Sequence, residues 1–577
     1  ADPPAADALL DIWIGLDRLS FDPVVSVEQE LAIAMLEGRV VTAADVTDVK
    51  QDVHTRREAA GMAALDPLLT WADSLGVEVE EIAPAAGLVR VLLPARYLDD
   101  VVALDGVVRV EAASLPTVDD AGYSTTVEGP RLDMFEVADL LQTWQFYMSG
   151  ALGSGGFQGN ERIGLTEPSG DNVFRHHPGF DDEYGVDRVT NCPVAWLGDT
   201  CTGNPDPTYG GDHATATASI LIGDITPQCM GTTHFSAVWN SMYEEGLALF
   251  NSAGNAGHGD PTDCTTTDPA AAIGEFTVGA YNVLDSGVLP PGPYTNPTPT
   301  TSRGGTSTEG GGRTIIDMMA PTQLWWAYPA PMTAEVRYGA DWDVKHDDGT
   351  KGPYGDGSPD NFSKTSAATP TVSGAAVIFR QAYLDEYSSL IDSPGILYAN
   401  LLLMGDRRAE GGSYLATGYD GLWGAGHLHL RKWKDDAMDA PWAWETGYVC
   451  VDNGSTVTIP MADYPVPQGV DIVKAVAWWY DHRHDSGTPH DLVRLTIQKD
   501  NGSTTQRIQD AVGDNKQRVV DFDPAGWTLT MELNGANVTS DKEGCGTDST
   551  RVYYAWYWED QSRDDAGKPL LDYVRPE

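Results

Sequence analysis

Apolar positions return at helical spacing from Ser26 to about Leu36 and again from Leu65 to Leu75, and neither stretch carries an obvious chemical task. Beyond them the period shortens. Val77, Val79 and Ile82, the turn Pro84-Ala85-Ala86-Gly87 and the run Leu88 to Leu93 predict a hairpin. A short helix from Tyr97 to Leu104 and a strand from Val107 to Val110 complete a compact α+β module within residues 1–120. Glycines 153, 155, 156 and 159 mark a flexible join, so 121–160 reads as a linker. Arg162-Ile163-Gly164-Leu165-Thr166 then predicts a buried strand that opens a second domain, residues 161–435. From about Gly447 the chain alternates apolar and polar residues in short runs, among them Val473–Tyr480, Leu492–Ile497 and Val552–Trp558. Turn-rich segments separate these runs, which predicts an all-β sandwich over 446–577.

Composition agrees with this division, because 577 residues are too many for one hydrophobic core. No apolar run approaches the ~18 residues of a membrane span. Asp and Glu outnumber Lys and Arg 85 to 36, a formal charge of −49, which repels nucleic acid and anionic membranes. Six cysteines in a loop-rich chain predict disulfides and an oxidising compartment. They fall into near pairs, Cys192 with Cys201, Cys229 with Cys264 and Cys450 with Cys545, although sequence leaves the connectivity open. The opening Ala-Asp-Pro-Pro has the look of a chain cut after a signal peptide, so a secreted or periplasmic/extracellular location is expected.

Four separated segments carry the ingredients of acyl transfer, namely a nucleophile, a base, an acid to orient it and an oxyanion donor. The first is Lys364-Thr365-Ser366-Ala367-Ala368-Thr369-Pro370-Thr371-Val372-Ser373-Gly374-Ala375-Ala376. It places a serine at the start of a helix whose small residues allow close approach to a sheet, with Pro370 suited to an early turn. A plain N-cap serine is the competing reading of Ser366 alone. In the second, Gly211-Asp212-His213-Ala214-Thr215-Ala216, His213 has a side chain suited to proton transfer near neutral pH. The third is Ile163-Gly164-Leu165-Thr166-Glu167-Pro168-Ser169-Gly170, followed by His177-Pro178; it offers Glu167 as the acid, with Asp171 as its competitor. The fourth, Phe250-Asn251-Ser252-Ala253-Gly254-Asn255-Ala256-Gly257, offers Asn255 as an oxyanion donor, where a turn asparagine is the plainer alternative.

These segments, in the order acid, His, Asn, Ser, resemble the subtilisin-like serine protease family over about residues 160–435. Thr301-Ser302-Arg303-Gly304, Met318-Met319-Ala320-Pro321 and Gly424-Ala425-Gly426-His427-Leu428 agree with it. The resemblance implies an α/β core with a mainly parallel sheet flanked by helices and a catalytic set of Glu167, His213 and Ser366. Asn255 would serve the oxyanion hole, and the substrate would be a protein or peptide. The N-terminal module is similar to that family's propeptide, which implies a precursor inhibited by its own first domain. The C-terminal region is similar to its accessory jelly-roll domains. Three departures stand out: Glu167 replaces the family's Asp, Lys364 replaces a Gly, and the stretch of about 40 residues from His213 to Asn255 is shorter than in the family. They leave room for a catalytically weak or inactive peptide-binding relative. The glutamate and the acidic composition also raise a sedolisin-like acidic peptidase, which would not use His213.

The acidic stretches Asp341–Gly349 and Asp356–Asp360 offer the hard oxygen ligands calcium takes, but their spacing is not that of an EF-hand and a solvated loop is the simpler reading. No cofactor is expected for catalysis. Structural calcium is the one metal left open, with its ligands unknown.

Overall fold

The computed structural model describes residues 8–16, 27, 30, 31, 43–113, 233–255, 257, 265, 266, 270–281, 301–304, 314–321, 364–386, 393–406, 419, 421–430, 442–462, 465–481, 491–509, 515–538, 545, 546 and 548–559. The strand expected at 162–166, four of the cysteines (192, 201, 229 and 264) and the acidic stretches at 341–349 and 356–360 lie outside them. Among the described residues, no helix is long and apolar enough to cross a membrane.

Near the N-terminus come strand β1 (Leu9–Leu16), helix α1 (Ala43–Leu75), strands β2 (Glu78–Ala83) and β3 (Leu88–Pro94), helix α2 (Leu98–Val102) and strand β4 (Val107–Ala112). The strands form an antiparallel sheet in the order β2-β3-β1-β4. The β2–β3 hairpin turns through a 3-10 segment closed by Gly87, whose φ of 68° suits glycine. Central strand β1 escapes a reading by period because Leu-Leu-Asp-Ile-Trp-Ile-Gly-Leu is apolar almost throughout. In the fold it does alternate. Ile12 and Ile14 join Leu65, Leu68 and Val101 in one core, and Trp13 turns the other way to Leu88 and Val238.

Helix α1 corrects the expected helix at 65–75, which is only its last third. Its earlier turns carry charged residues on the buried side, so no apolar stripe announces them. Arg57 pairs with Glu244 at 2.8 Å, the His54 ring nitrogen meets Glu245 at 3.1 Å, and Lys50 donates to the Gly246 carbonyl at 2.8 Å.

The middle region contains α3 (His234–Glu244), β5 (Leu249–Ser252), β6 (Glu275–Tyr281), β7 (Met318–Pro321), α4 (Lys364–Glu386), α5 (Pro394–Leu403), β8 (Gly405–Asp406) and β9 (His427–Leu428). The sheet runs β5-β6-β7-β9-β8, parallel throughout except for β8. Thr233 caps α3 by accepting the Ser236 N–H. Helix α4 lies across β5, β6 and β7 through Ala367, Ala368, Val372 and Ala375. Helix α5, Pro-Gly-Ile-Leu-Tyr-Ala-Asn-Leu-Leu-Leu, is buried at every position, as a helix apolar all round must be.

What covers the far side of α5 is the C-terminal region. Its strands are β10 (Trp442–Asp452), β11 (Thr456–Pro460), β12 (Ile472–Trp479), β13 (Leu492–Asp500), β14 (Thr505–Gln509), β15 (Lys516–Phe522), β16 (Thr528–Asn537) and β17 (Ser549–Glu559). They make two antiparallel sheets, β10-β17-β12-β15 and β11-β16-β13-β14. Every residue of β12 is buried because the two faces meet different cores. Val473, Ala475, Ala477 and Trp479 face the second sheet, whereas Ile472, Val476 and Trp478 join the core around α5. A disulfide joins Cys450 and Cys545, 95 residues apart.

Three buried cations from β12 and β15 enter the middle region. Arg518 donates to the carbonyls of Ala425 and Gly405, each at 2.6 Å, and Lys474 reaches Gly405 at 3.4 Å. Gly405 follows the end of α5, where unpaired carbonyls and the negative end of the helix dipole favour cations. Lys516 pairs with Asp317 at 2.6 Å, both side chains being almost wholly buried.

Candidate active site

Strands β5, β6 and β7 run parallel, so their carboxyl ends share the edge at which open α/β sheets bind ligands. The loop leaving β5 is pinned residue by residue. Ala253 N–H donates to Val278 O at 2.9 Å, Gly254 O accepts from Ser302 N–H at 2.8 Å, and Gly254 turns with φ 90°. Asn255 then docks on the start of α4. Its Oδ1 accepts from the Thr365 backbone N–H at 3.1 Å and from the Thr365 hydroxyl at 2.9 Å. An amide oxygen committed as acceptor fixes the side chain so that Nδ2 is the donating end. One orphan N–H of the helix start is satisfied by the same contact.

Ser366 follows directly, only 7% exposed. Of the five Ser and Thr residues on α4, four have hydroxyls that are engaged. Thr365 bonds Asn255, Thr369 donates to Thr365 O, Thr371 to Ala367 O and Ser373 to Thr369 O. Among the described residues, no hydrogen bond occupies the Ser366 hydroxyl. Pro370 is the seventh residue of α4, one turn deeper than the first-turn position its sequence suggested. Having no N–H, it leaves the Ser366 carbonyl without its helical partner.

Lys364 opens α4 with φ 66°, in the left-handed region where an L side chain costs about 1–2 kcal/mol. That conformation gives the physical reason for a glycine there in the family the segment resembles. Glu167, Asp171 and His213 lie outside the described residues. The structure therefore brings together Asn255 and the segment carrying Ser366, across 110 residues of sequence.

Two residues were not singled out by sequence. Thr365 sits inside the quoted motif, and its role emerges only from its partner. Asp317 heads the apolar strand β7, and an acid there signals a buried pair. Its Oδ2 accepts from Thr277 N–H at 2.6 Å and its Oδ1 faces Lys516, at the edge opposite Asn255, so it is a structural counter-ion.

Residues 224–390 match the model of the Subtilase family, Peptidase_S8. The matched stretch contains Asn255 and Ser366 and begins after His213. No curated protein matches the chain. Among solved structures, the prenylagaramide maturation protease PagA is 17% identical, covering 34% of this chain and 52% of its own, with a TM-score of 0.21. A lanthipeptide protease is 18% identical over 34% and 53%, with a TM-score of 0.23. The Aeromonas sobria serine protease, in complex with its chaperone, is 12% identical over 59% and 70%, with a TM-score of 0.23. This chain thus spans about half the length of the first two. Over residues 224–390, the chain thus matches the Subtilase family.

Proposed function

We propose that the chain is an exported serine endopeptidase, made as a self-inhibited precursor, that hydrolyses protein or peptide substrates through an acyl-enzyme on Ser366. His213 takes the hydroxyl proton and returns it to the leaving amine. Glu167, with Asp171 as the competing acid, orients the imidazole and stabilises imidazolium. The Asn255 amide N–H donates to the oxyanion as it forms. One observation carries this reading: among the described residues the hydroxyl of Ser366 is uncommitted, and the residue before it, Thr365, fixes the donating end of the Asn255 carboxamide.

The sheet of the N-terminal module, meeting α3 through Trp13 and Val238, supports its reading as a propeptide. The strand orders β10-β17-β12-β15 and β11-β16-β13-β14 are those of two interleaved Greek keys and support the jelly-roll reading. The Cys450–Cys545 disulfide supports an oxidising location. Catalysis by this set requires no cofactor, and calcium would be structural. Lys364, at a strained backbone position two residues before the nucleophile, favours the second reading, a weak or inactive peptide-binding relative. The two are separated by a fluorophosphonate probe, which labels Ser366 in the peptidase and leaves a binding protein unlabelled. Loss of labelling and of hydrolysis in His213→Ala would also exclude a sedolisin-like mechanism.

A further inference from the structure

Lys364 is placed at some cost. Its φ of 66° is one of only three positive values at non-glycine residues among those described. It also puts a cation at the positive end of the 23-residue helix α4, where anions are favoured, and no acidic residue in the first turn offsets it. Among the described residues it has no hydrogen-bond or ion-pair partner, and its side chain is half-buried. The buried cations Lys474, Lys516 and Arg518, by contrast, all have protein acceptors. In a chain of net charge −49, a lysine two residues from the nucleophile, with no partner among the described residues, is a local reversal of sign.

We propose that Lys364 is a specificity-determining residue whose ammonium pairs with a substrate carboxylate close to the scissile bond. This rests on the peptidase reading and names the substrate class it prefers: peptides with a carboxylate flanking the cleaved bond. The carboxylate is either an Asp or Glu side chain or the free C-terminus of a short peptide. The chemistry is the same, a charge-assisted hydrogen bond to an ammonium beside free helix amides. Since that charge is fixed within the substrate, the pairing reads substrate identity and belongs to binding more than to the chemical step.

The test is cleavage profiling of the full-length protein on a synthetic peptide library, in which each position flanking the cut is acidic or its amide isostere. C-termini are free in one arm and amidated in the other. Lys364→Asn removes the charge while keeping a residue that tolerates the left-handed region, and Lys364→Arg keeps the charge. Wild type is expected to favour acidic over amide peptides about tenfold in kcat/KM, mostly through KM, with the ratio shrinking as salt is raised. Lys364→Asn should bring the ratio near one, and Lys364→Arg should retain most of it. Preference in both arms identifies a side-chain carboxylate, and preference confined to free C-termini identifies the terminal one. Equal ratios in wild type and Lys364→Asn would overturn the proposal while leaving the peptidase reading intact. Absence of both cleavage and fluorophosphonate labelling in the wild type would remove the peptidase reading, and this inference with it.

Discussion

Asn255 and Thr365 define the finest scale at which the account can be checked. If Thr365 sets which end of the carboxamide faces the nucleophile, Thr365→Val keeps the backbone contact and loses the hydroxyl one. We expect kcat to fall about tenfold with KM little changed, because the donor is misaligned only toward the developing oxyanion. Asn255→Ala should cost about 10²–10³ in kcat, a range taken from the corresponding donor in subtilisin itself. Steady-state kinetics on one peptide measures both. Far from the site, Arg90 grips Asp11 through two hydrogen bonds of 2.8 and 2.6 Å and holds its carboxyl below the ordinary 3.8. A depressed folded value contributes stability that is present above the unfolded pKa and is lost as pH falls through the folded one. Asp11→Asn should therefore cost under about 1 kcal/mol at pH 7, since the pair is partly exposed, and less still below pH ~3. Urea melts at the two pH values show this as a shrinking gap. Sequence named Ser366 and Asn255 because their neighbours form long, specific motifs. It gave no role to Thr365, whose meaning lies in a partner 110 residues away.

At the scale of elements, helix α5 holds the middle region together. The Tyr398 hydroxyl accepts from Leu249 N–H at 2.6 Å and lies 2.9 Å from Leu249 O and 3.1 Å from Gly274 O, at the ends of β5 and β6 remote from Asn255. Burial raises its pKa well above the ordinary value, so it stays a neutral donor. Tyr398→Phe leaves these buried backbone groups short of a partner and should destabilise the protein by about 1–3 kcal/mol, read from denaturant melts. Gly395 is as constrained, since a Cβ there would lie 2.4 Å from the Tyr553 ring. The C-terminal strands were legible where apolar and polar positions mix in short runs bounded by turn residues, as in Leu492–Ile497, which lies on β13. Strand β1 and the first two-thirds of α1 were not. One is apolar on both faces, and the other buries Arg57 and His54 where a core helix would present leucines.

Across the whole molecule, the three regions are joined by polar contacts as well as by apolar cores. Arg57 from the N-terminal module pairs with Glu244, which accepts from the Tyr480 hydroxyl of the C-terminal region at 2.9 Å. Asp317 and Lys516 form a second buried link. Breaking one partner of such a pair costs about 3–5 kcal/mol, so Lys516→Met should lower stability by that order and Asp317→Asn/Lys516→Met together by less. A chain ended at 435 would expose the far face of α5 and take Lys516 from Asp317, and it is expected to be insoluble. The changing periods led to an expectation of three domains and not of cores shared between regions, because a residue such as Lys474 on a buried strand reads as surface until its carbonyl partner is seen.

The most direct measurement is labelling of the full-length protein with a fluorophosphonate, followed by mass-spectrometric assignment of the modified peptide. One adduct is expected, on Ser366, abolished in Ser366→Ala and strongly reduced in His213→Ala. A folded wild type that remains unlabelled, or an adduct on another residue, would contradict it.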